Sequence, residues 1–454
     1  MALVGSAIGL SVQPALAGPA PPSVTSVSPP YGGPAGGTVV NVNGANLTGA
    51  TVVNFGLTPA TSVTVNSDTS VTVTAPAGSV GAVDVTVTTP GGTSPTSSSD
   101  KFTYSSASTA YVADHGVSSV TPIDTATNTA GTLIIVDVAP IAIAITPDGK
   151  TAYVVNFETH NVTPIDTATG TAGSAITVGS VGSNPYGIAI TPDGKTAYVT
   201  NSGSNNVIPI ATATNTLGTS IAVGNTPEGI AITPDGKTAY VVDTNSNNVT
   251  PIATATNTLG TSIAVGTNPY DIAITPDGKT AYVTNVQSNN VTPIDIATNT
   301  PGTPIAVGTN PEGIAITPDG KTAYVVNRQS DNVTPIDIAT STPGTPITVG
   351  SVGSNPFGIA ITPDGKTAYV TNSGSNNVIP IAIGTNVAGP AIAIPGFGTT
   401  GSNPFGIAIK AEPPRPTTTI ATATPATSTA GLPVTYGATV TPTAGAGAPT
   451  GTVT

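Results

Sequence analysis

Cysteine is absent from the 454 residues, so disulfides, metal–thiolate sites and thiol nucleophiles are all excluded. That absence alone leaves the redox compartment open. Charge is scarce as well: only 7% of residues are Asp, Glu, Lys or Arg, and the formal net charge is −12. Six of the ten basic residues are Lys150, Lys195, Lys237, Lys279, Lys321 and Lys366, each following its own Asp. No basic patch remains, so nucleic acid is not an expected partner. Arginine occurs only at 328 and 415, and histidine only at 115 and 160. G-x-S-x-G, H-E-x-x-H, Walker and EF-hand patterns are missing. No apolar run is long enough to span a membrane. Low charge can accompany disorder, but the apolar residues here are strictly periodic, which argues for folded β structure.

What the chain does have is a repeat. GIAITPDGKTAYV and its echoes place a tyrosine at 111, 153, 198, 240, 282, 324 and 369, in steps of 42 or 45 residues. Within one unit, Ile188-Ala189-Ile190 and Ala197-Tyr198-Val199-Thr200 flank Pro192-Asp193-Gly194. Pro presets φ, Asp bonds its own backbone and Gly supplies positive φ, so the pair reads as a β-hairpin. Asn205-Asn206 turns the chain into a third strand, Val207–Ile210, and Ile221-Ala222-Val223 makes a fourth. Four antiparallel strands per repeat predict a propeller blade. The strands are apolar on both faces, so each blade needs neighbours on both sides.

The first TAYV, at Tyr111, has no GIAI before it, and the last GIAI, at Ile407, has no TAYV after it. Gly406–Lys410 is therefore expected to return as the innermost strand of the blade begun by Thr109–Ala113, closing seven blades. One feature conflicts with regular blades. The third strand carries proline in every copy, from Pro122 to Pro380, and proline cannot donate to a ladder. The fourth strand is therefore expected to be short or irregular.

YVTN, at Tyr198–Asn201 and Tyr369–Asn372, resembles the string that names the YVTN family of β-propeller repeats, across about 300 residues. The resemblance implies an archaeal surface-layer-like or bacterial secreted propeller; the third-strand proline departs from the family pattern. Before it, short alternating strands at Val39-Val40, Val52–Phe55, Val71–Thr74 and Val83–Val87 read as a β-sandwich. Their order resembles an IPT/TIG immunoglobulin-like domain. Pro449–Val453 resembles the middle of a bacterial Ig-like repeat. Residues 2–13 with the Ala15-Leu16-Ala17 site resemble the later part of a secretory signal. The expected class is all-β: signal peptide 1–17, IPT/TIG domain 18–106, seven-bladed propeller 107–411, and a linker with a partial Ig-like domain at 412–454. The expected location is secreted or cell-surface.

The loop before each innermost strand holds the most variable residue of the repeat. These are Ile141, Tyr186, Glu228, Tyr270, Glu312, Phe357 and Phe405. An axial funnel rimmed by Tyr186, Glu228, Tyr270, Glu312, Phe357 and Phe405 is the candidate ligand site, suited to sugar or peptide; the other reading is that these side chains cap the channel. A second ring, Asp114, Asn156, Asn201, Asp243, Asn285, Asn327 and Asn372, offers oxygen ligands or, as expected here, turn residues bonding local backbone. His115 and His160 read as isolated surface residues. Blades 180–210 and 351–381 differ only at Tyr186 versus Phe357, and near-identical blades favour multivalent display over convergent catalytic groups. The expected function is a non-catalytic, monomeric scaffold or adhesin binding a cell-surface carbohydrate or protein, with no metal or cofactor. The alternative is a propeller enzyme of lactonase or quinoprotein-dehydrogenase type.

Overall fold

The computed structural model describes residues 19–28, 31–32, 36–79, 81–104, 108–396, 401–410, 417–424 and 435–442. The segment read as a signal peptide lies outside them. Of the tail read as an Ig-like fragment, only two strands are described, Thr417–Thr424 paired antiparallel with Thr435–Pro442. The described residues contain strands and one 3-10 turn, Thr244–Ser246, and no α-helix. No helix among them could cross a membrane.

Period-two alternation builds the first unit. Val39–Ala45 and Ser70–Thr74 bury every second residue and lie side by side in a four-stranded sheet. Gly81–Thr89 centres the facing sheet, between Lys101–Tyr104 and Val52–Phe55. Val40, Val42, Val71 and Val73 from one sheet share a core with Val53, Phe55, Val87 and Phe102 from the other. Phe55 meets Phe102 edge-on at 4.9 Å, and Tyr104 donates to the Pro76 carbonyl at 2.9 Å. This is the expected immunoglobulin-like sandwich.

The second unit, 108–413, comprises seven sheets of one design. In the blade of Tyr198, the innermost strand is Pro185–Ile190, followed by Thr196–Asn201 and Asn206–Ala211. The ring closes as expected: Pro404–Lys410 pairs antiparallel with Thr109–Asp114, placing Tyr111 opposite Ala408 and Val112 opposite Ile407. Innermost strands of successive blades touch around the whole ring, the closing strand included. Between blades the TAYV tyrosines are buried, and their hydroxyls reach into the following blade. Tyr198 donates to Asn257 Oδ1 at 2.8 Å, and Tyr369 bridges the closure to Asn128 Oδ1 at 2.6 Å.

The proline conflict resolves locally. The outermost strand is broken into two-residue pieces, Thr216–Leu217 and Ile221–Ala222, which pair with the two ends of the third strand. Pro209 falls in the gap, and its carbonyl accepts the Gly218 N–H at 2.7 Å. The missing donor therefore costs no ladder bond, and the outer edge bends away there.

Candidate functional site

A bulge aims each variable residue. Pro185 pairs with Asn201 and Ile188 with Val199, so the innermost strand carries one extra residue at Tyr186-Gly187. The same shift recurs in the other blades, with Ile141 as the extra residue between Pro140 and Ala142. A bulge interrupts pairing and re-aims side chains, and here it turns one residue per blade out of the regular alternation. Threonine of the YVTN string supports it. Thr200 Oγ1 accepts the Gly187 N–H at 2.8 Å and donates to the Glu228 carbonyl of the next blade at 2.7 Å. Thr284 does the same for the Glu312 carbonyl at 2.8 Å, and Thr371 for that of Phe405 at 2.6 Å.

The six expected rim residues are brought to one place, but not as a uniform ring. The Tyr186 and Tyr270 hydroxyls hydrogen-bond each other. Tyr270 lies edge-on to Phe357 at 5.9 Å, and Phe357 meets Phe405 at 4.2 Å. These aromatics therefore form one connected cluster. Three of them, Tyr186, Tyr270 and Phe357, line a cavity of about 180 Å³ together with Glu228, Asp271 and the inner-strand glycines and isoleucines, and Phe405 joins through its contact with Phe357. Glu312 is buried, and its Oε1 accepts from Arg328 Nη1 at 3.1 Å. The Arg328 guanidinium also sits over the Phe357 ring at 5.8 Å.

Three carboxyls from consecutive blades share this region. Burial pushes Glu228 up to about 7, the charge of Glu312 adding to the shift and Thr244 opposing it. Burial pushes Glu312 to about 7 as well, against the pull of Arg328. Glu228 Oε2 and Glu312 Oε2 have no hydrogen-bond partner among the described residues. Asp271 stands where five blades have glycine, and burial raises it to about 6. Its Oδ1 accepts the Ile272 N–H at 2.8 Å and its Oδ2 the Ile314 N–H of the next blade at 3.3 Å. Burial holds both phenols well above their ordinary range, so they stay protonated. One phenol proton makes the Tyr–Tyr bond and the other is free to donate.

Sequence reasoning missed three of these residues. His115 is not an isolated surface residue: its ring packs on Phe405 at 4.8 Å, and burial lowers its pKa despite Glu158 nearby. Arg328 stands out in the sequence only as one of two arginines, and Asp271 is not singled out. The one available signal was rarity, since a basic or acidic side chain at a repeat position occupied elsewhere by a small or neutral residue stands out. The second ring also differs from its expected role. Its members are buried staples between the second and third strands, not turn residues. Asn156 Nδ2 donates to Asn161 Oδ1 and Thr163 Oγ1, both at 2.8 Å. No cluster of His, Asp and Glu among the described residues is arranged to hold a metal ion.

Comparison with known proteins follows this geometry. Residues 22–104 match the family model of the IPT/TIG domain, and residues 143–260, three of the blades, match that of "Lactonase, 7-bladed beta-propeller". No curated protein matches the sequence. Among solved structures, hydrazine synthase of Kuenenia stuttgartiensis is similar at 27% identity and a TM-score of 0.52, over 56% of this chain and 86% of that one. A functionally unknown protein from Desulfotomaculum acetoxidans shares 20% identity with a TM-score of 0.58, over 66% and 98%. Virginiamycin B lyase from Staphylococcus aureus shares 17% with a TM-score of 0.51, over 60% and 91%. The last two likenesses speak for the fold alone.

The expectation of a non-catalytic protein is corrected by these findings. The lactonase match and the likeness to hydrazine synthase point to an enzyme. The physical reason lies in the bulges. The blades share their strands and hairpin turns, while the variable position in each innermost strand is delivered to the axis. Seven similar units thereby assemble dissimilar groups in one cavity, which is what catalysis requires.

Proposed function

We propose that the propeller is a hydrolase of lactonase type, opening a small cyclic ester in the axial cavity. The observation that carries this reading is Glu228: a carboxyl lining the cavity, one oxygen without a partner, beside a phenol pair with a proton to spare. At about 180 Å³ the cavity is smaller than the roughly 300–1,000 Å³ of sites for drug-sized ligands, so it suits a small substrate of one or two fused rings.

In this reading ionised Glu228 takes a proton from a water as the water oxygen attacks the ester carbonyl carbon. The free phenol proton of the Tyr186–Tyr270 pair donates to the carbonyl oxygen and stabilises the oxyanion. The intermediate collapses by breaking the ring C–O bond, and protonated Glu228 returns its proton to the departing alkoxide. The product is a hydroxy acid, and the carboxylate is regenerated. Near-neutral titration suits a group that must act first as base and then as acid. Because a single chain closes the ring, the site needs no second copy, and the enzyme works as a monomer in this reading.

The test is proton release from simple lactones at pH 7.5, wild type against Glu228→Gln. A loss of about 100-fold or more in kcat is expected, the usual scale for removing a general base. Wild-type rates no faster than buffer, or full activity in the variant, would overturn the reading.

A further inference from the structure

The cavity has two chemically different arcs. Around the ring, Phe357, Phe405 and Ile141 belong to three successive blades, since the closing strand neighbours both the Pro356–Ile361 and the Pro140–Ile145 strands. Phe357 and Ile141 line the cavity; Phe405 is in ring contact with Phe357, and His115, its charged form disfavoured by burial, packs on Phe405. The remaining four blades supply the phenols Tyr186 and Tyr270 and the carboxyls Glu228 and Asp271 to the lining, together with the buried Glu312, which Arg328 holds. The positive charge on this side is Arg328, which is already committed to Glu312 and to the Phe357 face. The hairpin lysines cannot help: each is paired with its own Asp, as Lys195 is with Asp193 at 3.2 Å, at the other end of the strands.

From this division we infer that the site takes a small uncharged lactone with an aryl or alkyl face, and excludes phosphorylated or carboxylated sugar lactones. This rests on the lactonase reading and adds the substrate class. An apolar ring packs against Phe357 and Ile141 and gains their aromatic and dispersion contacts. Its ester group then faces the phenols and Glu228. A phosphate or second carboxylate would enter a low-dielectric space lined by Glu228 and Asp271 and offering no uncommitted cation, where like charges repel strongly. An uncharged polyol would leave its hydroxyls unpaired against the apolar arc.

The probes are dihydrocoumarin, glucono-δ-lactone and 6-phosphoglucono-δ-lactone, with hydrolysis followed by proton release. Binding of dihydrocoumarin is followed separately by calorimetry, so that affinity is read without turnover. The expected result is a kcat/KM for dihydrocoumarin about 100-fold above that for the phosphorylated lactone, the scale of two tenfold steps. Phe357→Leu, with Phe405→Leu as a second variant that removes the ring packed on Phe357, should raise KM for dihydrocoumarin about tenfold and change kcat little. If the phosphorylated lactone is the better substrate, this inference falls and the lactonase reading stands. If dihydrocoumarin binds, weakens with the Phe variants and is never hydrolysed, the ligand class stands and the hydrolytic reading falls. If it neither binds nor reacts, the ligand class is wrong.

Discussion

Arg328 Nη1 lies 3.1 Å from Glu312 Oε1, joining a partly exposed guanidinium to a buried carboxylate on the innermost strand of the same blade. The pair opposes the upward shift that burial imposes on Glu312. Arg328→Gln should therefore move the Glu312 pKa further up. The ionised carboxylate would then sit buried without its cation, which is the costly state. We expect a loss of about 1–3 kcal/mol at pH 8, scaled down from a fully buried pair because the guanidinium is partly exposed. The loss should be smaller at pH 6, where Glu312 carries its proton. Urea titrations at the two pH values check this, and an equal loss at both would count against it.

Asp243 stands opposite Asn248 across the strand ladder, and Asn248 Oδ1 is buried without a donor. In the blades with asparagine at this position the corresponding amide fills that role, as Asn285 Nδ2 does for Asn290 Oδ1 at 2.8 Å. Asp243→Asn should supply the missing donor and remove a buried charge. A gain of about 1 kcal/mol at pH 8 is expected, the net worth of one hydrogen bond. The gain should shrink toward pH 5, where Asp243, raised to about 6, is itself protonated.

Stability of the whole propeller should fall as pH rises from about 5 to 8. Asp114, Glu228 and Glu312 are raised to about 7, and Asp243 and Asp271 to about 6. Between their unfolded values and these folded ones the native state binds more protons than the unfolded state, so the slope of stability against pH is negative. The hairpin aspartates work the other way. Asp193, Asp235, Asp277 and Asp319 are lowered to about 2, chiefly by their threonine hydroxyls. Their contribution is present above the unfolded value near 4 and is lost only as pH falls toward 2. Thermal midpoints measured from pH 3 to 9 should peak near pH 4–5; a midpoint that climbs from 5 to 8 contradicts the assignment.

Hydrolysis should follow the same carboxyl from the opposite side. Only ionised Glu228 can accept the water proton, so log(kcat/KM) should rise with unit slope below about pH 7 and level off above it. A flat profile across pH 5–8 would remove Glu228 from the chemistry.

Closure can be tested without touching the cavity. Ile409 lies opposite Ala110 in the closing ladder and packs with Val112 and Ile123. Ile409→Ala deletes that packing and should cost about 2 kcal/mol, the low end for an isoleucine because this one is only partly buried. Limited proteolysis should then cut near the junction of the two chain ends in the variant and leave the wild type whole.

Much of this architecture was legible because repetition is a one-dimensional signal. The spacing of Tyr111 through Tyr369 showed the blades, and the unmatched strings at Tyr111 and Ile407 showed how the ring shuts. Proline in the third strand announced an irregular outer edge before the gap at Gly218 was seen. The axial position of Tyr186, Glu228 and their equivalents was also readable, since they are the variable residues of an otherwise constant unit.

What those residues do to one another was not readable. Arg328 finds Glu312, His115 finds Phe405 from nearly the far end of the propeller, and Tyr186 finds Tyr270 two blades away. Asp271 pins the next blade through the Ile314 N–H. Local sequence determined the strands, turns and their count, because each depends on neighbours within a few residues. The curvature of the closed ring and the bulge in each inner strand decided the chemistry, because only they bring side chains from different blades within bonding distance.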